Sequence, residues 1–290
     1  MALILPPHAT DCHMHVLGPF DRYPLAAERA YNVPEASLEE HERMKRRTGL
    51  ERTVFVQASG HGFDNRAMLA ALAELGERAR GIAVLPLATE RNLLVEMQRQ
   101  GVRGLRLNLL TLASRHGGEP RQLIKDYGRK LSPLGWHLQI FAAAATYLDL
   151  EEAIGQCAVP VVIDHMGLPD AAQGVEQPGF QAVLRLAKLK HIWVKLAGAD
   201  RITRSTGRVR DAIPCIRALA DAAPCRLVWG SDWPHIGFHA GKQVHDDAVL
   251  PHRKLDGQEL LGVLFEAIPD VETRQAILAG NPATLYGFAR

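Results

Sequence analysis

The feature that most constrains this chain is a rhythm: eight short, apolar, β-rich runs separated by segments of helical character. The runs are Asp11–Val16, Thr53–Gln57, Ile82–Leu87, Gly104–Leu109, His137–Phe141, Val159–Asp164, Ile192–Leu196 and Leu227–Gly230. Several, such as TVFVQ and PVVID, are almost continuously hydrophobic, as parallel strands covered on both faces are. Between them, SLEEHERMKRRTG, DNRAMLAALAEL, ERNLLVEMQRQG and FQAVLRLAKLK read as helices. Ser37 or Glu35 stands at the start of the first, and Gly49 and Gly101 occupy positions suited to helix C-caps. Eight alternations in 290 residues, with no internal repeat, linker or low-complexity tract, predict one α/β domain over 1–290, a (β/α)8 TIM barrel. A doubly wound open sheet is the competing arrangement. Its dinucleotide-binding version is disfavoured, because no G-x-G-x-x-G follows the first strand.

A hydrophobic content of 47% supplies a large core, and a net charge of +2 offers no general attraction for nucleic acid or an acidic membrane. A small anionic ligand needs only a local cluster of arginines. The opening MALILPPHATD lacks the basic segment and apolar length of a signal peptide, and no run approaches a membrane span. A cytoplasmic location is therefore expected. Cys12, Cys157, Cys215 and Cys225 form no C-x-x-C pair and suit reduced thiols. Cys12 lies beside the histidine pair, where strand alternation would point its side chain away from those of its neighbours and into packing.

In such barrels active sites form at the C-terminal ends of strands. The first run ends in Asp11-Cys12-His13-Met14-His15, and alternate residues of a strand share a face, so His13 and His15 point the same way. The sixth ends in Asp164-His165-Met166-Gly167 and the eighth in Gly230-Ser231-Asp232-Trp233-Pro234-His235. An H-x-H pair arises by chance, and a lone histidine after a strand is usually a packing residue. Their common placement at strand ends is what favours one shared site. His13, His15, His165 and Asp232 could hold a single Zn²⁺ or Mn²⁺, which would acidify water. No second ion is expected, since strand four supplies Arg106 and Asn108 and strand seven Lys195 and Gly198.

These strand-end residues resemble those of the amidohydrolase superfamily, and Asn281-Pro282-Ala283-Thr284-Leu285-Tyr286-Gly287-Phe288 looks like the ending of its amidohydrolase-2 branch. DCHMHV, VQAS, GLRLNL, GWHLQ, DHMG, VKLAG and GSDWPH are similar to the 2-pyrone-4,6-dicarboxylate lactonases and their sugar-lactonase relatives, so the resemblance runs from Asp11 to Phe288. It implies a hydrolase that opens a small carboxylated lactone from aromatic or sugar-acid catabolism, with no metal required. Asp232 would activate water as general base and pass the proton to the leaving alkoxide or enolate. His13, His15 and His165 would polarise the lactone carbonyl, a division of labour that suits a carboxylate and a set of donors. Tyr31, Ser59, Arg106, Arg201 and His235 stand at positions resembling substrate contacts. The fork of Arg106 suits a carboxylate, with a structural ion pair as its plainer role. A lactone isomerase, a single-metal decarboxylase of a hydroxybenzoate-like acid and an inactive ligand-binding barrel are the competing functions.

The departures from that pattern concern the second acid group. Leu109-Leu110-Thr111-Leu112 replaces a second arginine, Phe141 a tyrosine and Gly237 an asparagine. A buried carboxylate without partners is costly. The pocket is therefore expected to prefer monocarboxylated or hydroxylated lactones over the pyrone dicarboxylate, unless Arg115, Lys125 or Lys242 reaches in from a loop.

Overall fold

A computed structural model describes residues 3–111, 116–238 and 249–289. The eight strands are β1 (Thr10–Met14), β2 (Arg52–Val56), β3 (Ala79–Ala83), β4 (Val102–Asn108), β5 (His137–Phe141), β6 (Val161–Ile163), β7 (Ile192–Leu196) and β8 (Leu227–Trp229). They pair in sequence order, each parallel to the next. Helices α1 (Leu38–Thr48), α2 (Arg66–Leu75), α3 (Arg91–Arg99), α4 (Pro120–Leu131), α5 (Thr146–Gly155), α6 (Pro178–Ala187), α7 (Ile213–Ala222) and α8 (Gly257–Ala267) pack around them. The expected TIM barrel is what forms.

Ser37, not Glu35, starts α1. Its hydroxyl accepts from the Glu40 N–H while the Glu40 carboxylate accepts from the Ser37 N–H, a capping box. Gly49 ends that helix in the left-handed region at φ +83°, a conformation glycine adopts without penalty. The third strand begins and ends earlier than its apolar run. Beyond β3, Val84 is buried, but its N–H and C=O are taken by the Asn65 side chain at 3.1 and 3.0 Å. Burial thus continues where strand pairing has stopped.

Barrel closure depends on the meeting of the first strand with the segment after the last. Met14 bridges Trp233, the His15 N–H donates to Trp233 O at 2.9 Å, and the Asp232 N–H donates to His13 O at 2.8 Å. Buried Asp11 fastens the junction. It accepts from the Ser231 N–H (2.9 Å), the Ser231 hydroxyl (2.5 Å) and the His13 N–H (3.1 Å), and it lies 3.2 Å from His41 Nε2 of α1.

One face of the strands packs under the helices in the main core, with Phe55, Leu105, Leu138, Val194 and Trp229 among its members. The alternate positions Val54, Val56, Ile82, Val162, Trp193 and Val228 gather with Cys12 and with Tyr286 and Phe288 from the chain end. Cys12 therefore does lie in packing, on the inner side, within the stretch from Asp11 to Met14 where the register shifts. Above this apolar floor, on the same face of the strands, lie Arg106, Gln139, Asp164 and Lys195, all buried.

Gly230 marks the tightest contact at the junction. A Cβ there would stand 2.6 Å from the backbone nitrogen of His13, which cannot rotate away. Gly230→Ala should therefore lower stability by about 1–3 kcal/mol in urea unfolding, the usual cost of overpacking. An unchanged unfolding midpoint would show that the junction yields without cost.

Candidate active site

Three imidazoles surround one carboxylate oxygen. The Nε2 atoms of His13, His15 and His165 lie 3.8, 3.9 and 4.0 Å from Asp232 Oδ1. Each distance exceeds a hydrogen bond, so the four atoms enclose a point rather than bonding one another. His13 Nε2 and Asp232 Oδ1 are both buried without a hydrogen-bond partner among the described residues. The loops that carry these groups are strained. His165, Met166, Leu168, Asp232 and His235 all stand at φ between +50° and +63°. That region costs roughly 1–3 kcal/mol for a residue with a side chain, and such residues cluster at functional sites.

Charge in the site follows from burial and neighbours. Burial pushes His15 down to about 4, His165 to about 3 and His235 to about 4, and drives His13 well below its ordinary value. The histidines are therefore neutral near pH 7. Burial is the largest single influence on Asp232 and would raise it, but the combined pull of Arg201, the neighbouring imidazoles and Arg253 outweighs it, and the carboxyl falls well below its usual range. Arg201 Nε donates to Asp232 Oδ2 at 2.5 Å, and Arg253 Nη2 stands 3.6 Å from the same oxygen. Arg253 is in turn held by Asp200, with Nε 2.7 Å from Oδ2, and its Nη1 donates to Ile236 O.

Tautomer can be read for one histidine directly. His15 Nδ1 lies 2.8 Å from Val56 O, and a carbonyl only accepts. The proton is thus on Nδ1, and Nε2 presents a lone pair to the enclosed point.

Beneath the imidazoles, Asp164 is wholly buried. Arg106 Nε and Gln139 Nε2 donate to its Oδ2 at 2.8 and 2.9 Å. His13 Nδ1 and Lys195 Nζ lie 3.3 and 3.7 Å from its Oδ1. The ion-pair role of Arg106 is therefore realised, and its guanidinium also stacks 4.5 Å over the Phe141 ring. Burial lowers Lys195 to about 8, Asp164 pulling the other way. Within this group Arg106, Lys195, Arg201 and Arg253 face Asp164, Asp200 and Asp232, four cations against three carboxylates.

The other sequence-derived positions surround the same space. Ser59 Oγ accepts from Asn108 Nδ2 at 2.8 Å and from the Thr111 hydroxyl at 3.2 Å, and it bonds Tyr31. Tyr31 senses the charges of Arg106, Arg201 and Asp232. The His235 N–H donates to Asp232 O at 2.8 Å. Among the cations invoked to replace missing contacts, Lys125 is exposed on α4. Arg115 and Lys242, like Leu112, lie outside the described residues. Asp164, Gln139, Asp200 and Arg253 are residues that sequence reasoning left out of the site.

Comparison with known proteins identifies the family. The amidohydrolase family model matches residues 10–288. The chain belongs to that family. It is 34% identical to a 4-sulfomuconolactone hydrolase of Hydrogenophaga intermedia, over 99% of this chain and 91% of that one. It is 30% identical to a 2-pyrone-4,6-dicarboxylate hydrolase of Comamonas testosteroni, over 97% and 91%. A Pseudomonas putida structure provisionally assigned as a 2-pyrone-4,6-dicarboxylic acid hydrolase superposes with a TM-score of 0.77 at 31% identity, covering 99% of this chain and all of its own.

For an amidohydrolase the donor set fits one divalent ion in kind and spacing. Ligand atoms of His13, His15 and Asp232 lie within 4.8 Å of one another, as do those of His13, Asp164 and His165. His15 meets a further requirement of such sites, because its outer nitrogen is anchored on a carbonyl. The surrounding charge opposes the ion, since four cations already crowd three carboxylates. This amidohydrolase also accommodates its departures structurally. Phe141 supplies the ring under Arg106, and at Gly237 an added Cβ would come within 3.0 Å of Pro251 O, so glycine admits the segment that carries Arg253.

Proposed function

We propose that this protein hydrolyses a small lactone bearing an acid group, with Asp232 as general base and without requiring a metal. The observation that carries this reading is the arrangement at Asp232. One oxygen is pinned by Arg201, and the other faces the enclosed point among three Nε2 atoms. A water held there gives one proton to Asp232 Oδ1 and directs the other to the lone pair of His15 Nε2. The hydroxide oxygen bonds to the lactone carbonyl carbon, whose oxygen is stabilised by an imidazole N–H, and the ring C–O bond breaks. The proton on Asp232 passes to the leaving oxygen, which restores the carboxylate. His15 is thus assigned to the water and not, as the family resemblance implies, to the carbonyl. A divalent ion, when bound, would be held by His13, His15 and Asp232 and would acidify water.

The excess of cations favours an anionic substrate, and Arg201 and Tyr31 are placed to receive its acid group. Ser59, Asn108 and Thr111 form a neutral set of hydroxyl and amide groups beside Tyr31. Such a set suits a hydroxyl or a weakly basic sulfonate better than a second carboxylate, in keeping with the relative that acts on a sulfonated lactone.

Asp232→Asn preserves size but removes the proton acceptor, so kcat should fall roughly 10²–10⁴-fold with the circular dichroism spectrum unchanged. Near-normal turnover by the folded variant would sink the mechanism. Prolonged chelation should leave lactone hydrolysis intact; activity lost and then restored by Zn²⁺ or Mn²⁺ would make the imidazoles metal ligands. Hydrogen bonds to a charged group are worth roughly 1.5–3 kcal/mol each, so two missing contacts predict a kcat/KM about 10²-fold lower for 2-pyrone-4,6-dicarboxylate than for monocarboxylated, sulfonated or hydroxylated lactones. A preference for the dicarboxylate, measured side by side, would overturn that substrate assignment.

A further inference from the structure

We infer that Lys195 is a positioning residue that decides which nitrogen of His13 carries the proton, making His13 Nε2–H a donor to the site rather than a lone pair for a metal. Lys195 Nζ lies 3.4 Å from His13 Nδ1, and both side chains are completely buried. An ammonium has three donors and no acceptor, so it bonds Nδ1 only when Nδ1 is a lone pair. A neutral imidazole has one N–H, which must then reside on Nε2.

The rival partner is Asp164 Oδ1, 3.3 Å from the same Nδ1, which would draw the proton there. Geometry favours the lysine. Among the described residues Asp164 Oδ1 has no contact that meets both the length and the angle of a hydrogen bond, although at 3.3 Å it still attracts the His13 proton, whereas the Lys195 contact meets both when Nδ1 is the acceptor. Nor does Asp164 depend on the His13 proton. Arg106 and Gln139 hold its other oxygen, and the Lys195 charge lies 3.7 Å from Oδ1. The two histidines of the H-x-H pair then carry opposite tautomers. His15 turns an acceptor to the enclosed point and His13 a donor, one for the water and one for the carbonyl oxygen. The same assignment explains how a donor set of the right kind and spacing works without an ion, because a protonated Nε2 cannot ligate.

Only the kinetic part of the test rests on the lactonase reading. Two-bond ¹H–¹⁵N spectra of the full-length, chelator-treated protein with labelled histidine read the tautomers directly, His13 being assigned by its absence in His13→Gln. The wild type is expected to show Nε2–H at His13 and Nδ1–H at His15. Lys195→Met keeps the length and removes the donor. It should invert His13 to Nδ1–H, lower kcat roughly 10²-fold with KM little changed, as loss of one oxyanion donor does, and bind Zn²⁺ at least about 10-fold more tightly. A wild-type His13 protonated on Nδ1 overturns the inference, as does a Lys195→Met protein that keeps Nε2–H and normal kcat. Should Lys195→Met fail to fold, the wild-type spectrum decides alone. A wild type that opens no lactone would refute the proposed activity and leave the tautomer result standing.

Discussion

The Asp164 carboxylate sits at 0% exposure in the middle of the barrel, and the surrounding polar groups follow from the need to keep it partnered. An ionised carboxylate taken out of water without partners is prohibitively unstable, and removing one partner of a buried pair costs several kcal/mol. Three strands meet this need. Arg106 comes from β4, Gln139 from β5 and Lys195 from β7, while β6 leads straight into Asp164 itself. The same bonds orient what lies above. Arg106 is aligned over Phe141, and His13 rests on the Asp164–Lys195 pair. A fixed layer of charge is a better support for imidazoles than apolar packing, because it specifies direction as well as position.

Barrel closure does the equivalent work for the base. His13 and His15 belong to β1 and its end and Asp232 to the loop after β8, yet two main-chain hydrogen bonds and the Asp11 carboxylate bring them together. The positive φ values of His165 and Asp232 show that the loops are held against their own preference. Surrounding structure over-determines these conformations, which keeps four polar groups aimed at one another's vicinity without letting them collapse into direct bonds.

Most of the architecture was legible in the sequence, for a physical reason. Strands covered on both faces are apolar at nearly every position, so all eight announced themselves. β3 was misplaced because Val84 and Leu85 are buried beyond the last paired residue, and burial is what hydrophobicity records. His13, His15, His165 and Asp232 could be found because polar side chains at strand ends are conspicuous. Asp164, Gln139 and Lys195 were harder: each is a polar residue within or at the end of a largely apolar run (VVID, HLQIF, WVKLA), and only the closed barrel shows that they face one another. Arg253 carries no such signal. It follows β8 by more than twenty residues in a segment without strand or helix periodicity, and it reaches Asp232 only because Gly237 lets the backbone near Pro251 come close.

The inner face of the barrel is sealed from below by the far end of the chain. Tyr286 is fully buried against the apolar floor, Phe288 lies beneath Arg52 and Arg80, and these arginines bond the carbonyls of Ala289 and Gly287. Without that stopper the floor would be open and the charged layer above it wet. Wet charges are well solvated and gain little from seeking one another, so the strong mutual attraction of the polar layer depends on Tyr286 and Phe288 being seated. Packing at the bottom of the barrel thus sets the strength of the electrostatics at its distant mouth.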